Sequence, residues 1–276
     1  MGRLENQVAI VTGAGRAQGR SHALALAAEG ATIVAVDIAA PIDVVPYPLS
    51  SQSDLEETVR LVEKAGGTAI PVVADVRDSS AVNAMTQHAI DRFGRVDILV
   101  ANAGLCYWST IEDMTDEQWR TLMETNLYGV FYCVRAVLPH MRRQQYGRIV
   151  ATSSVVGRGA MPNVGHYVAS KWGVNGLIKT VAMENGPYGI TANTVAPSTV
   201  HSPMTVNESN YKLFCPDLEH PTEKDMFPVL TSMNFLDKPW IEPETVSKAV
   251  LYLVCDEGFT TGTVLEINLG VTADGV

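Results

Sequence analysis

The sequence lacks the features that mark several large classes of protein. It has no apolar run near the roughly 20 residues that a membrane-spanning helix needs, and residues 1–6 show no charged-then-apolar signal pattern. Its four cysteines, Cys106, Cys133, Cys215 and Cys255, have neither CxxC nor metal-ligand spacing. We therefore expect a cytoplasmic protein with free thiols and no metal.

Basic residues are also scarce. The chain has 20 Lys and Arg against 30 Asp and Glu, giving a net charge of −10, and no cluster of cations forms a stripe. This balance argues against nucleic acid and anionic membrane surfaces as partners. The 276 residues are 46% hydrophobic, with no linker or biased tract. We expect a single domain over residues 1–276.

What the sequence does contain is a regular alternation of strand and helix patterns. Apolar runs predict strands at 8–11, 32–36, 69–73, 97–101, 148–152, 191–195 and 264–268. Helices are predicted at about 20–29, 54–64, 79–93, 116–145, 164–185 and 243–255. Pro139 is expected to kink the fourth helix or to end its regular part. This alternation predicts a doubly wound parallel sheet with helices on both faces.

A glycine-rich turn, Thr12-Gly13-Ala14-Gly15-Arg16-Ala17-Gln18-Gly19, joins the first strand to the first helix. Strand, turn and helix in this order form the context in which a dinucleotide pyrophosphate binds a helix N-terminus. The spacing is not Gly-x-Gly-x-x-Gly, because Gln18 stands where the third glycine would be. A turn with a purely structural role is the alternative.

The second strand ends in Asp37, about 20 residues beyond the turn, where a carboxylate can accept hydrogen bonds from both adenosine-ribose hydroxyls. It would repel a 2′-phosphate, which favours NAD over NADP. Arg16 argues weakly the other way, but residues 38–40 add no second cation. A solvated carboxylate at a strand end is the alternative interpretation.

Residues 38–53, which we call the cover segment, are unusual. Their prolines at positions 41, 46 and 48 exclude a helix. The segment also exceeds the about 2–6 residues of a normal strand-to-helix connection. Because it follows a strand end where a cofactor would bind, we predict that it covers the adenosine end. A surface loop without function is the alternative.

Tyr167 and Lys171 stand four residues apart on a predicted helix, so their side chains project from one face. An ammonium beside a phenol favours the phenolate and lowers the phenol pKa from about 10. Such a pair can act as a positioned acid and base for a hydroxyl or carbonyl. The pattern alone is weak, because many chance pairs share it.

In combination, these motifs resemble those of the short-chain dehydrogenase/reductase family over nearly the whole chain. The resemblance rests on the glycine-rich turn, Asp75, Asn102-Ala103-Gly104, Asn126, Ser154, Tyr167, Lys171 and Pro197, in this order. It implies an NAD-linked alcohol dehydrogenase with a Rossmann-like sheet of seven strands in the order 3-2-1-4-5-6-7. It also implies a homotetramer.

The resemblance implies a role for each site residue. Tyr167 exchanges a proton with the substrate, Ser154 orients the substrate oxygen, and Lys171 lowers the tyrosine pKa and holds the nicotinamide ribose. Asn126 holds a water that relays protons, although bonding within its own helix is an alternative, as strand capping is for Ser154. The implied cofactor-binding residues are Gly13, Arg16, Ala17, Gln18, Gly19, Asp37, Ile38, Asp75, Val76, Asn102, Ala103, Gly104, Tyr167, Lys171, Pro197, Thr199 and Val200.

Two positions depart from the family pattern. Ala17 replaces the second glycine of the turn, and Ser198 replaces the glycine that usually follows Pro197. We expect both to affect cofactor exchange more than cofactor binding. Residues 12–22, with the cover segment, also resemble the mycofactocin-associated subgroup, to which carveol dehydrogenase-like proteins belong. That narrower resemblance implies tightly held NAD and mycofactocin as an external electron acceptor.

The substrate end is less well defined. Residues 203–240, which we call the lid segment, are predicted to be irregular and to cover the substrate. Seven residues are predicted near an apolar pocket, although several could pack in the core or an interface: Tyr107, Trp108, Val155, Met161, Met204, Phe214 and Trp240. No Arg or Lys pair is placed for an anionic group.

We therefore predict oxidation of a hydrophobic, terpene-like secondary alcohol to a ketone. One alternative is an ordinary, freely exchanging NAD-dependent dehydrogenase or reductase of another apolar alcohol or ketone. Two further alternatives are a non-catalytic NAD-binding regulator and an enzyme that catalyses a different reaction on the same fold. Both stay open because fold alone does not settle function.

Overall fold

The computed structural model of the protein describes residues 2–273, and its centre is one parallel sheet of seven strands. The strands are β1 (Val8–Thr12), β2 (Thr32–Asp37), β3 (Thr68–Val73), β4 (Ile98–Ala101), β5 (Gly147–Thr152), β6 (Ile190–Pro197) and β7 (Val264–Ile267). Their order is β3-β2-β1-β4-β5-β6-β7. The predicted fold class and strand order are confirmed.

Helices connect the strands and cover the sheet. They are α1 (Ala17–Ala28), α2 (Gln52–Lys64), α3 (Ser79–Phe93), α4 (Asp116–Met123), α5 (Gly129–Gln144), α6 (Gly165–Asn185), α7 (Glu208–Phe214), α8 (Glu223–Ser232) and α9 (Pro243–Cys255). Most boundaries lie within three residues of those predicted. Along residues 2–273 no helix is long and apolar enough to cross a membrane.

Alternate residues of β1 divide the core into two clusters. Val8 and Ile10 belong to a cluster completed by α3, α5 and α6, while Ala9 and Val11 belong to one completed by α1, α2 and α9. Because successive strand residues point to opposite faces and helices cover both faces, β1 is buried along its whole length.

Local side chains explain where several helices begin. Ser51 and Asp54 form a capping box at the start of α2, so this helix begins at Gln52, two residues earlier than predicted. Thr115 and Gln118 form a similar box at the start of α4.

The predicted helix over residues 116–145 is corrected in one respect. A π-helical segment, Glu124–Tyr128, separates α4 from α5 and contains Asn126. Helix α5 continues through Pro139 to Gln144, so the expected end of regular helix at Pro139 is not observed. Single π-helical turns occur frequently at functional sites, where the extra residue redirects a side chain.

The prediction that the lid segment is irregular is wrong for residues 208–214 and 223–232, which are helical. Residues 203–240 contain α7, which Asn207 caps, and α8, which has a capping box between Thr222 and Asp225. Cys215, Met226 and Leu230 form a small buried cluster between the two helices, separate from the two main clusters. Burial of these side chains stabilises helices that the local sequence pattern did not predict.

Candidate active site

The glycine-rich turn brings backbone very close to backbone. Gly13 has a φ of +67°, and a Cβ on Gly19 would lie 2.0 Å from the carbonyl oxygen of Gly13. The first turn of α1 therefore packs directly on the turn, which leaves the N-terminus of α1 facing a cavity. Ala17 adopts a φ of +45°, a left-handed conformation that favours glycine.

Hydrogen bonds tie together the carboxyl ends of three central strands. The hydroxyl of Thr12 accepts from the amides of Asn102 and Ala103, at 3.0 and 3.1 Å. The side-chain amide of Asn102 donates to the carbonyl of Thr12 at 3.0 Å and accepts from the hydroxyl of Thr152 at 3.1 Å. These bonds lie where the strand order reverses, the usual ligand position in open α/β sheets.

Asp37 lies beside this point, buried and hydrogen-bonded. One carboxylate oxygen accepts from the amide of Gly15 at 2.9 Å, and the other accepts from the hydroxyl of Ser50 and the amide of Ala39. The interpretation as a solvated strand-end carboxylate is therefore wrong. Since three donors from the protein already bond to it, fewer lone pairs are free for a ligand than the sequence suggested.

The cover segment folds back over this cavity. The guanidinium of Arg16 donates to the carbonyl of Pro48, and Tyr47 is 6% exposed. The hydroxyl of Tyr47 accepts from the amide of Cys106 at 3.3 Å. Apolar residues of the cover segment pack against a small cluster formed by Leu105, Tyr107 and Leu122. The segment thus connects the glycine-rich turn to the loop after β4.

Two adjoining cavities occupy this edge of the sheet. The first, of about 150 Å³, is lined by twelve of the predicted cofactor residues: Gly13, Arg16, Ala17, Gln18, Gly19, Asp37, Ile38, Asp75, Val76, Asn102, Ala103 and Gly104. The second, of about 450 Å³, is lined by the remaining five, Tyr167, Lys171, Pro197, Thr199 and Val200. Gln18, Asn102 and Gly104 line both, so the cavities meet there.

Ser154, Tyr167 and Lys171 line the second cavity together. The ammonium of Lys171 donates to the carbonyl of Thr152 at 2.7 Å and lies 5.4 Å from the ring centroid of Tyr167. The helix spacing and the end of β5 therefore bring the three predicted catalytic side chains to one place.

The pKa of Tyr167 differs from the sequence-based expectation. Burial raises the pKa of Tyr167 above its usual value, Cys106 adds to the rise, and a hydrogen bond with Ser154 opposes it. Burial also lowers the pKa of Lys171 to about 8. The expectation that Lys171 would lower the phenol pKa is not met in the protein alone, because desolvation dominates.

Asn126, the fourth predicted catalytic residue, is fully buried in the π-helical segment. Its side-chain oxygen accepts from the amide of Leu105 at 2.7 Å, and its side-chain nitrogen donates to the carbonyl of Leu105 at 2.8 Å. The interpretation that it bonds within its own helix is therefore wrong. A Cβ on Gly104 would lie 3.3 Å from its oxygen and 3.7 Å from the Lys171 nitrogen, so both polar groups border this glycine.

Five of the seven predicted substrate residues line the second cavity, namely Trp108, Val155, Met161, Met204 and Phe214. Two do not. Tyr107 is 2% exposed, packs edge-on against His166 and donates to the carbonyl of Gln118. Trp240 packs against His201 and Phe227 instead, and its indole donates to Glu242.

Sequence reasoning missed other lining residues. Tyr47 and Ser50 of the cover segment line the first cavity, and Cys106, Asn210 and Leu230 line the second. The Tyr47-Pro48 pair was a signal for a docked segment, because an aromatic residue between prolines suits burial better than solvent. Asn210 gave no sequence signal, since its contacts depend on how the lid segment folds.

Comparison with known proteins gives a consistent pattern. A family model described as short chain dehydrogenase matches residues 7–212. A (-)-trans-carveol dehydrogenase of Rhodococcus erythropolis is 39% identical over 275 residues, covering 99% of each chain.

Two solved structures extend this similarity to three dimensions. A carveol dehydrogenase from Mycobacterium avium in complex with NAD superimposes with a TM-score of 0.96 at 41% identity, covering 99% of this chain and 100% of that one. A short chain dehydrogenase from Mycobacterium paratuberculosis bound to NAD gives 0.88 at 36% identity, with the same coverage.

Proposed function

This chain belongs to the short-chain dehydrogenase family, and on that premise we propose that it is an NAD-dependent enzyme that oxidises a hydrophobic, carveol-type secondary alcohol to a ketone. One observation carries the proposal. Ser154, Tyr167 and Lys171 line the larger, mostly apolar cavity where it adjoins the narrower one. A polar acid/base group at one end of an apolar pocket suits an alcohol with a single hydroxyl.

The residues of the first cavity fit an NAD molecule. The N-terminus of α1 offers backbone donors to a pyrophosphate, and Asp37 offers an acceptor beside the expected ribose while repelling a 2′-phosphate. Arg16, the one residue that argued for NADP, is already bonded to Pro48 of the cover segment. Two similar structures contain NAD, which supports the same choice here.

In the proposed reaction, Tyr167 removes the proton from the substrate hydroxyl. Ser154 orients that oxygen and donates to it as negative charge develops. Bound NAD would supply a hydride acceptor for the carbinol carbon and a positive charge to the cavity that Tyr167 and Lys171 line. Because burial raises the pKa of Tyr167 in the protein alone, deprotonation of this phenol depends on nearby positive charge. Lys171 supplies part of that charge, and Asn126 holds a water that relays the proton outward.

Apolar groups of the second cavity support the substrate assignment. Trp108, Met161, Phe214, Leu230 and Met233 form much of its wall. Its volume of about 450 Å³ accommodates a ring system beside the nicotinamide. Among residues 2–273, the lining contains no arginine and its only lysine is Lys171. Small charged hydroxy acids would therefore bind poorly, since a buried charge without a partner is costly.

We further propose that NAD stays bound between turnovers and that electrons leave through an external carrier such as mycofactocin. The contacts of the cover segment support slow release, because Asp37, Arg16 and Tyr47 all hold this segment over the adenosine side. The resemblance of residues 12–22 to the mycofactocin-associated subgroup supports the choice of carrier.

A direct experiment tests both parts of this proposal. Denaturing the pure protein should release about one NAD per chain, and a panel of alcohols with an artificial electron acceptor should favour apolar cyclic secondary alcohols. A protein that is purified without NAD and turns over freely on added NAD would contradict the proposal that NAD stays bound between turnovers. A preference for small hydroxy acids would contradict the proposal that the substrate is an apolar secondary alcohol.

We also propose a homotetramer. Aromatic side chains on α4, the π-helical segment, α5 and α6 are exposed in the single chain, namely Trp119, Tyr128, Phe131 and Trp172, at 43%, 47%, 40% and 52%. An apolar surface of this kind is typical of a subunit interface. Light scattering should give four times the 29.8 kDa chain mass, and Phe131→Glu should lower it.

A further inference from the structure

The side chain of Asn210, on α7, uses all of its hydrogen-bonding groups at the wall of the second cavity. It is 6% exposed, and its nitrogen donates to the carbonyls of Met204 and Thr205 at 2.9 and 2.8 Å. Its oxygen accepts from the indole nitrogen of Trp108 at 2.8 Å. One amide therefore connects α7 to the first residues of the lid segment and to the loop after β4.

Trp108 depends on this amide for its position. Its indole carries a single donor, which Asn210 accepts. The ring also meets Phe214, one turn further along α7, edge to face with centroids 5.7 Å apart. Trp108, Asn210 and Phe214 all line the second cavity. The hydrogen bond fixes the rotation of the indole, and the aromatic contact fixes its tilt.

Several further contacts attach the lid segment to the body of the protein, including the bond from the hydroxyl of Thr205 to the carbonyl of Val200 at 2.7 Å and the packing of Trp240 on His201. The helices of the lid segment share their own small cluster around Met226. Outside that cluster, the amides of Phe235 and Leu236 bond to the carbonyl of Leu269, and Glu223 pairs with His201 at 3.2 Å. The bond from Asn210 and the ring of Phe214 both reach Trp108 from across the cleft.

We infer that Asn210 is a positioning residue for substrate specificity, which holds Trp108 as a fixed wall and so restricts the cavity to compact cyclic alcohols. The inference rests on the proposed function, because it concerns the alcohol that enters this cavity. Asn210 acts through Trp108 and takes no part in proton transfer. Loss of the bond would free the indole to rotate, enlarge the cavity and weaken the fit of a compact substrate.

The most informative change is Trp108→Phe, which keeps an aromatic ring but removes the indole donor. It leaves the oxygen of Asn210 buried without a partner. An unpaired buried oxygen typically lowers, by about tenfold, the equilibrium constant for keeping α7 packed against residue 108. We expect a roughly tenfold higher KM for carveol with kcat changed by less than about threefold, and a smaller loss for a polycyclic secondary alcohol. Trp119→Phe, the same substitution on α4 at the proposed subunit interface and outside both cavities, is the matched control and should change neither value.

A double-mutant cycle with Asn210→Ala separates positioning from general damage. Both single variants remove the same hydrogen bond, between Trp108 and Asn210. The double variant should therefore lose no more selectivity between carveol and the polycyclic alcohol than the single variant with the larger loss. Hydrogen exchange of the NAD-bound protein gives a readout without turnover. Amides of residues 208–214 should exchange faster in Trp108→Phe, and those of β1 and β4 should not change.

The possible results separate this inference from the proposed function. A selective rise in KM with faster exchange in α7 supports it. Parallel losses for both alcohols, or additive losses in the cycle, would overturn it, because both would indicate only structural damage. If wild-type protein oxidises neither alcohol, the proposed function fails. The hydrogen exchange result then still tests the role of Asn210, because unchanged exchange in Trp108→Phe would show that the bond between Trp108 and Asn210 does not hold α7 in place.

Discussion

The two ends of the cleft are built in different ways. At the cofactor end, side chains come from the carboxyl ends of β1, β2 and β4, and the cover segment closes a cavity of about 150 Å³. At the substrate end, a cavity of about 450 Å³ lies under the lid segment, whose helices pack around their own small cluster. The cofactor end lies between the main core and the cover segment, whereas the substrate end lies between the main core and a separately packed unit.

This difference matches what each end is proposed to bind. A ligand that stays bound needs a site that seldom opens, and buried contacts such as Tyr47 and Asp37 make opening costly. A substrate that enters and leaves at every turnover needs a cover that opens readily, and a lid segment with its own small cluster suits that need. Ser154, Tyr167 and Lys171 line the second cavity close to where the two meet, so they serve both ligands.

The largest expected effect is at this junction. Tyr167→Phe should lower kcat by about 10²- to 10⁴-fold, the usual contribution of a positioned acid/base. NAD content should stay within about twofold of wild type, because the phenol hydroxyl contributes at most a single hydrogen bond to the cofactor. Turnover with an artificial acceptor and nucleotide released on denaturation are the measurements. Full activity in this variant would remove the assigned role of Tyr167.

At the cofactor end, Tyr47→Ala should open the cover segment. Truncating a buried aromatic residue costs about 3–5 kcal/mol, and about 3 kcal/mol corresponds to roughly 100-fold faster NAD release. The matched control is Tyr47→Phe, which loses only the bond to the amide of Cys106 and should change release by about tenfold or less. Equal NAD retention in the two variants would contradict a role for the cover segment.

A comparison of two core residues tests whether the ends are energetically separate. Leu99 lies in a main cluster and Met226 in the lid cluster, and both are fully buried. Leu99→Ala should lower the free energy of unfolding by about 2–5 kcal/mol. Met226→Ala should lower global stability less, but should raise KM for the alcohol several-fold, by roughly 3- to 10-fold. Equal losses of global stability would mean that the lid segment is not a separate unit.

The smallest expected effect is at Ala17, whose φ of +45° strains the first turn of α1. A left-handed conformation costs a non-glycine residue about 1–2 kcal/mol in the folded protein, and glycine would remove that cost. Glycine also has more conformational freedom in the unfolded chain, which offsets about 0.4–1 kcal/mol of the gain. Ala17→Gly should therefore raise Tm by about 2 °C and alter NAD release by only about threefold. A lower Tm in this variant would contradict the claim that the backbone of Ala17 is strained.

The sequence predicted most of the cofactor end, because that end depends on local patterns. Buried strands appear as short apolar runs, and the tight approach of Gly13 to Gly19 requires glycine. All seventeen predicted cofactor residues line one of the two cavities. The role of Ser50 as a donor to Asp37 was missed, because it depends on how the cover segment folds back.

The substrate end was predicted less well, because it depends on tertiary packing. Tyr107 and Trp108 are sequence neighbours, yet one side chain enters the core and the other the cavity. The sequence could not tell which was which. The helices of the lid segment were missed because prolines and a weak apolar pattern hide them.

A single-turnover experiment tests the central claim most directly. The protein, as purified and without added nucleotide or acceptor, is mixed with carveol, and reduced nicotinamide is measured in the protein and in the filtrate. We expect about one reduced nicotinamide per chain, retained by the protein, and none with Tyr167→Phe. Absence of reduced nicotinamide until NAD is added would contradict hydride transfer to a resident cofactor.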